Sequence, residues 1–346
     1  MSLPPSEIPQ GAIRFNTDSQ KLEFYAQGEW WVMSTDTPNL GRSVDSTPGA
    51  RGLWGGGNPT PTDRETIEYV NIASTGNAVD FGNLSQARNT PSKGVGSRTR
   101  GIFGGGSLAP VRVTTIDAIT FASTGNGTDI GDLSAARAEL AAVSNETRGV
   151  FLGGAAPAGD SNEIDYITIA SGGTAQDWGT NLPDARERPG GAVNSPTRGL
   201  VLGGTGSSTV NTIDFITIHT TGTHGDFGDL NATLQNNSGG GNSVRGIINS
   251  SGTPSVSSQL SYVTIATLGN SANFGDLSLA RAITANVSSP TRVVFGGGIT
   301  STSPAVVYND TIDYNLIATQ GTGVDFGNLS SVRSQFGSCS NAHGGL

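Results

Sequence analysis

Apolar and polar residues alternate along most of this chain in short runs, the period of strands rather than of helices. TIEYVNIAS, TIDAITFAS, EIDYITIAS, TIDFITIHT, LSYVTIAT and TIDYNLIAT carry alternating apolar positions that suit a sheet packed between neighbours. A Gly-, Asn- and Thr-rich stretch such as STGNA or TQGTG follows each run. Such residues accept positive φ or close the chain on itself through side-chain bonds, so these stretches predict tight turns. Ahead of each run lies another that opens on an arginine and, in most copies, ends in glycines: ARGLWGGG, TRGIFGGG, TRGVFLGG, TRGLVLGG, VRGIINSSG and TRVVFGGG. A third run follows (VDFGNL, TDIGDL, QDWGTNL, GDFGDL, ANFGDL, VDFGNL), and most copies then close with an arginine: Arg88, Arg137, Arg186, Arg281 and Arg333. LAAVSN, GGAVNS and ITANVSS read as a fourth short strand that completes the unit.

The leading arginines, Arg51, Arg100, Arg148, Arg198, Arg245 and Arg292, recur at intervals of 47 to 50 residues. Four antiparallel strands per repeat, six times over, predict an all-β chain, a six-bladed β-propeller. A small β-meander module precedes it, with the module expected over 1–37 and the propeller over 38–346. An open ring would leave two raw sheet edges. The tail SCSNAHGGL repeats the start of a unit, so its strand is predicted to join the first blade. RSVDST near Arg42 is the rival for that place.

The order strand, Gly pair, aromatic-bearing strand, then an aromatic in the last strand is kept at Gly104-Gly105, Asp117 to Phe121 and Trp178. It resembles the kelch repeat over about residues 40–346. Most copies carry Phe where a kelch repeat has Trp, and the fifth has Asn249-Ser250 in place of the Gly pair. The resemblance implies the propeller fold and no particular activity, since kelch proteins share none.

GAIRFNTDSQKLEFYAQGEWWVM stands outside the repeat. Ile13 and Phe15 mark one strand, TDSQ a turn, and Leu22, Phe24, Trp30, Trp31 and Met33 the remainder. So short a meander cannot bury two adjacent tryptophans by itself. Phe24, Tyr25, Trp30 and Trp31 are therefore the candidate anchor residues, against a partner or copies of this chain. Residues 11–32 resemble the short G-x-I-R-F-N-T, K-x-E-x-Y, G-x-W modules of tailed-bacteriophage fibre, baseplate and head-appendage proteins. That resemblance implies virion structural proteins as partners and a homo-oligomer. The Pro-Asn-Leu-Gly stretch at 38–41 reads as a linker.

Composition acts mainly by exclusion. With 51 glycines in 346 residues, 14% charged and 6% aromatic, the chain is turn-rich and all-β. A hydrophobic fraction of 34% suits thin cores shared between repeats better than one thick core. The formal charge is −9, and Lys21 and Lys93 are the only lysines, so no nucleic-acid partner is expected. Cys339 is the single cysteine, and three His with two Met offer no thiolate cluster; no metal or cofactor is expected. No apolar run approaches the roughly 18 residues of a membrane span, and the start lacks a secretion-signal pattern. The expectation is a product made in the host cytoplasm, without membrane insertion.

Catalytic constellations were weighed against plainer readings. His219 and His224 sit in the fourth unit and His343 in the tail, too few and too scattered for a copper or zinc site. The leading arginines recur once per repeat, as do Asp80, Asp129, Asp177, Asp226 and Asp325, which argues for inter-blade hydrogen bonds and ion pairs over catalysis. No helix follows the glycine triplets as a phosphate loop requires, and they read as places where backbones crowd near the propeller axis. No unit offers the dense carboxylates of a calcium site.

Differences among repeats locate the expected binding face. One face carries the repeated STGN and NSPT turns; the other carries unlike loops, NPTPTDRE, SLAPVRV, AAPAGDS, TGSSTV and ITSTSPAVVYND. Variable loops on a rigid scaffold are common recognition elements. Arg64, Arg112, Asp160 and Tyr308 are the candidates there for a host-surface glycan or protein, Tyr308 as an aromatic able to stack on a sugar. The leading expectation is a non-enzymatic bacteriophage virion protein, a tail-fibre, host-recognition or capsid-decoration component. A cellular kelch-type interaction platform is the alternative, and a glycan-active propeller enzyme a third reading.

Overall fold

The computed structural model describes residues 8–16, 21–32, 50–58, 64–108, 110–250 and 256–346. It is all-β, with 51% of residues in strands and no helix among the described residues. Two compact units are formed, Met1–Thr47 and Pro48–Leu346. The expected division at 37/38, the linker at 38–41, the turn at 17–20, Met33 and RSVDST all lie outside the described residues, as do 59–63 of the first variable loop.

The smaller unit contains a three-stranded antiparallel sheet, β1 (Ile13–Asn16), β2 (Lys21–Ala26) and β3 (Glu29–Val32). Ile13 pairs with Phe24 and Phe15 with Leu22, while Phe24 also pairs with Trp31 and Tyr25 with Trp30. Side chains alternate across a sheet, so Phe24 and Trp31 lie on one face and Tyr25 and Trp30 on the other.

Among the described residues the larger unit contains three two-stranded hairpins and six larger sheets, each built on four antiparallel strands in the order inner, leading, central, outer; the fifth gains a parallel fifth strand, Gly321–Thr322. In the third sheet these are Ala141–Ser144, Arg148–Leu152, Ile164–Thr168 and Gln176–Asp177. In the first they are Gly337–Ser340, Arg51–Gly55, Thr66–Asn71 and Val79–Asn83, so the C-terminal strand pairs with the Arg51 strand, Cys339 opposite Leu53. The short strand expected to complete each unit instead opens the next sheet: Ala141–Ser144 pairs with Arg148–Leu152. The reason is local. Asn145 Oδ1 accepts the backbone N–H groups of Thr147 and Arg148 at 3.0 and 2.8 Å, closing a tight hairpin toward the following arginine.

The six inner strands touch in a closed order: Val95–Gly96, Ala141–Ser144, Gly190–Asn194, Ser238–Gly241, Ala285–Ser288, Gly337–Ser340, and back to Val95–Gly96. Apolar clusters lie between neighbouring sheets. Ile102, Ile116 and Leu133 of the second sheet pack with Phe151, Ile167 and Ile169 of the third. Repeats that bury their cores against one another need only thin apolar strands, which accounts for the low hydrophobic fraction.

Three further sets of contacts repeat around the unit. Each leading arginine donates to the carbonyl just past the central strand of the next sheet, Arg51 to Phe121 O at 2.6 Å and Arg148 to Ile218 O at 2.9 Å; Arg292 completes the circuit at Ile72 O, 3.1 Å. Five of the six also lie over a Tyr or Phe of their own sheet, such as Tyr69 or Phe215, 4.6 to 4.9 Å from the ring centre. The turn after each central strand bonds to the outer strand of the preceding sheet, Gly125 N to Phe81 O at 2.8 Å and Gly76 N to Phe326 O at 2.8 Å. Gly82 has φ +145° there, and any Cβ on it would strike the carbonyl of Gly125.

The third set corrects an expectation. Asp80, Asp129, Asp177, Asp226 and Asp325 are exposed on outer strands, and Asp129, Asp177 and Asp226 accept only from the glycine N–H two residues on. The buried inter-sheet ion pairs join the closing arginines to acids on the central strands: Arg88–Asp117 at 3.0 Å, Arg137–Asp165 at 2.5 Å, Arg281–Asp313 at 2.8 Å, Arg333–Glu68 at 2.6 Å, and Arg186–Asp214. Outer-strand aspartates face water, and Asp129 acts on Arg88 through its charge alone, behind Asp117. In the fourth-to-fifth junction Leu234 stands in the arginine's place and Ser261 in the acid's, so both charges are missing together.

The paired glycines are also placed differently from the expected crowding at the centre. Gly105 and Gly106 have φ +63° and +116°, and a Cβ on either would meet a backbone carbonyl, of Arg137 or of Asn89. Crowding against inner strands falls on the glycine that follows five of the six leading arginines: Gly52 faces Val287 and Gly199 faces Val143.

Candidate functional site

Two surfaces have the chemistry of recognition. On the N-terminal sheet, Ile13, Phe15, Leu22, Phe24 and Trp31 are all exposed, Ile13 by 63% and Trp31 by 48%. By register they share one face, with exposed Glu29 opposite Ala26 at its edge. On the other face Tyr25 is buried against Trp30, ring centres 5.3 Å apart, and Arg14 lies over Trp30 while paired with Glu23 at 2.9 Å. The four expected anchor residues are thus split: Phe24 and Trp31 are available to a partner, Tyr25 and Trp30 are occupied. Ile13, Phe15 and Leu22 join the available pair, which the strand alternation could have indicated.

The second surface is a small, open pocket at the Gly-Gly end of the inner strands, with enclosed space of only about 20 Å³. Each of the six repeats contributes the residue two places beyond its closing position: Thr90, Glu139, Arg188, Asn236, Ile283 and Gln335. All six have positive φ, between 51° and 58°. The residue before each is tied to the one after a Gly pair in five repeats, as in Ala138 with Ala155 and Ala282 with Ile299. The variable loops therefore leave the sheets at the same end as the pocket.

Lys93 also lines this pocket. It is half-buried, and Nζ donates to Thr284 O, 3.3 Å away on another repeat. Burial pulls its pKa down to about 8, with Glu139 opposing the shift. Glu139 is held by Arg188 Nε at 3.1 Å, and Arg188 reaches Glu187 at 2.7 Å. Desolvation raises the Glu187 pKa, with Arg188 opposing.

The opposite end of the inner strands is filled by the C-terminal residues. His343 is buried, with Nε2 2.9 Å from Gly96 O and 3.3 Å from Ser144 Oγ, and Nδ1 accepting from Gly345 N at 3.1 Å. Burial lowers its pKa to about 4. His219 is exposed beside Asn145, and His224 bonds Asp214 at 3.0 Å, so the three histidines share no site. Among the described residues no three His, Cys, Asp or Glu side chains are grouped to hold a metal ion.

The loop candidates are dispersed. Arg64 is half-buried and donates to Ser331 Oγ at 2.5 Å; Arg112 is half-buried in a small hairpin with Ser107; Asp160 is exposed in another with Ala155. Tyr308 packs with Val256 against Ala282, Ile283 and Ile299, so the ring supports the pocket wall instead of standing free for a sugar. None of the four lines the pocket. The pocket residues left a different trace in the sequence: a position that varies in every copy, two places after a nearly constant arginine.

No protein-family model matches the chain, and no curated protein matches it.

Proposed function

We propose that the chain is a non-enzymatic bacteriophage virion structural protein in which a kelch-like, six-bladed β-propeller is carried by an N-terminal anchoring module. The closed order of inner-strand contacts and the junction from Arg292 back to Ile72 support a propeller whose first blade is completed by the C-terminal strand. The recurrent arginines and buried acids interlock the repeats, which favours a rigid display platform over a catalyst. Its partners would be other virion proteins and copies of itself, with a host-surface glycan or protein as the target.

The observation that carries this reading is the apolar cluster of Ile13, Phe15, Leu22, Phe24 and Trp31 on one face of the N-terminal sheet, bordered by Glu29. Exposed aromatic and aliphatic side chains grouped on one face are characteristic of association surfaces. With a single charge at its border, Glu29, that mainly apolar face suits another copy of itself. Light scattering on the full chain and on a Phe24→Glu/Trp31→Glu variant tests this. An oligomer converted to a folded monomer is expected. A full chain that is already monomeric removes the self-assembly anchor and leaves the cellular interaction platform as the better reading.

A further inference from the structure

Inner strands normally lead by a tight hairpin into their own leading arginine. Asn145, Ser195 and Ser289 each accept the N–H of the arginine three residues on. Asn341 makes the same contact, Oδ1 accepting from Arg51 N at 2.8 Å, but that arginine is 290 positions away and the chain does not turn into it. Residues 341–346 instead cross the end of the inner strands, buried from Ala342 to Gly345. A Cβ on Gly344 would meet the carbonyls of Asn194 and Asn242, and one on Gly345 that of Ser144, so the segment is seated closely among three sheets.

His343 holds it there. Nε2 lies 2.9 Å from Gly96 O and 3.3 Å from Ser144 Oγ, while Nδ1 accepts from Gly345 N at 3.1 Å. Asn194 Nδ2, a second donor, is 3.4 Å from the same Nδ1, and its bond to Ser144 O fixes that amide orientation. These partners assign the tautomer: Nε2 carries the proton and Nδ1 is bare. An imidazolium donates from both nitrogens. Protonation therefore sets a new N–H on Nδ1 against two donors, and burial opposes the charge as well. Arg98 is the charged group acting on the ring, also against protonation, and it is tied to Glu146 at 3.7 Å on exposed hairpins. The strands packed on the ring, Val95–Gly96, Ala141–Ser144 and Gly190–Asn194, carry no charge. Each of them is paired to its own leading strand through the backbone, so none depends on the ring for its place.

We propose that residues 341–346 form an acid-released plug: protonation of His343 at Nδ1 frees the segment and opens that end of the inner strands while the six larger sheets stay folded. Release bares Gly96 O, Ser144 Oγ and the Asn194 amide. The device does not depend on the virion reading. Since the neutral ring holds the plug, closure is complete above the ordinary histidine value of 6.5 and weakens as pH falls toward the folded value of about 4. The separation of those values makes opening up to about 300-fold more favourable across the window.

Amide hydrogen exchange on the full chain tests this, read by NMR at Gly345 and Leu346 and corrected for intrinsic rates. Both amides bond to His343, one to Nδ1 and one to its carbonyl. Between pH 7.5 and 4.5 their protection should fall about 50-fold or more. Amides of the strand Arg148–Leu152 should remain protected for much longer at the same pH. His343→Gln, uncharged throughout, should show no such fall, whether glutamine holds the segment or leaves it open. Protection that stays level in the native chain down to pH 4.5 would overturn the proposal, as would the same fall in His343→Gln. So would exchange of Gly345 and Leu346 only together with Arg148–Leu152, the mark of release by whole unfolding.

Discussion

The inter-sheet ion pairs give the most direct test of how the repeats hold together. Arg88 Nη2 lies 3.0 Å from Asp117 Oδ2, and both side chains are fully buried. The same nitrogen donates to Phe103 O at 3.0 Å, and Asp117 Oδ2 also accepts from Ser85 N at 3.1 Å. Burial pulls the guanidinium pKa of Arg88 below its ordinary range while Asp117 opposes the shift, so the pair is held by mutual compensation. Arg88→Leu strands a buried carboxylate and Asp117→Ser a buried guanidinium, each at an expected cost of about 3–5 kcal/mol. The double variant leaves no charge and should lose only about 1–3 kcal/mol, mostly through the space vacated by the longer side chain. Urea denaturation of the four proteins measures the cycle, with a constant slope as the condition for comparing them. A coupling of at least about 2 kcal/mol is expected. The Leu234 and Ser261 junction already shows the neutral combination inside the same fold. Single effects that add to the double within about 0.5 kcal/mol would refute the reasoning, and so would a loss under about 1 kcal/mol for Arg88→Leu alone.

Two pH effects follow from buried groups of opposite placement. His343 titrates near 4 when folded and 6.5 when unfolded, so its contribution is complete above 6.5 and is lost as pH falls toward 4. Urea midpoints across that window should drop by up to about 3 kcal/mol in stability, and His343→Gln should flatten this part of the profile. Lys93 titrates near 8 when folded against 10.5 unfolded, so the unfolded chain holds more protons between those values and stability should rise from pH 8 to 10.5. Lys93→Met should remove that rise and, at pH 7, stabilise the protein by between about 1 and 3 kcal/mol; a destabilised variant would mean that the ammonium is well satisfied within the fold.

Much of the fold is legible in the chain because its determinants are local. Strand alternation, an arginine every 47 to 50 residues, turn glycines and the repeated tail sequence each depend on a few neighbouring residues. The sequence by itself therefore determined strand content, the six repeats and the tail's likeness to the start of a unit. Tertiary structure decided which side chains meet. Arg88 finds Asp117 on the next sheet, not the aspartates of the outer strands, because burial on the central strand selects the acid. The strand register of the N-terminal module, not its composition, separates Trp31 from Trp30. The pocket exists only because six positions in different repeats adopt the same left-handed backbone and are brought together at one end of the inner strands. Each of those residues is unremarkable in its own stretch of sequence, since neither the strain nor the convergence is a property of any one repeat.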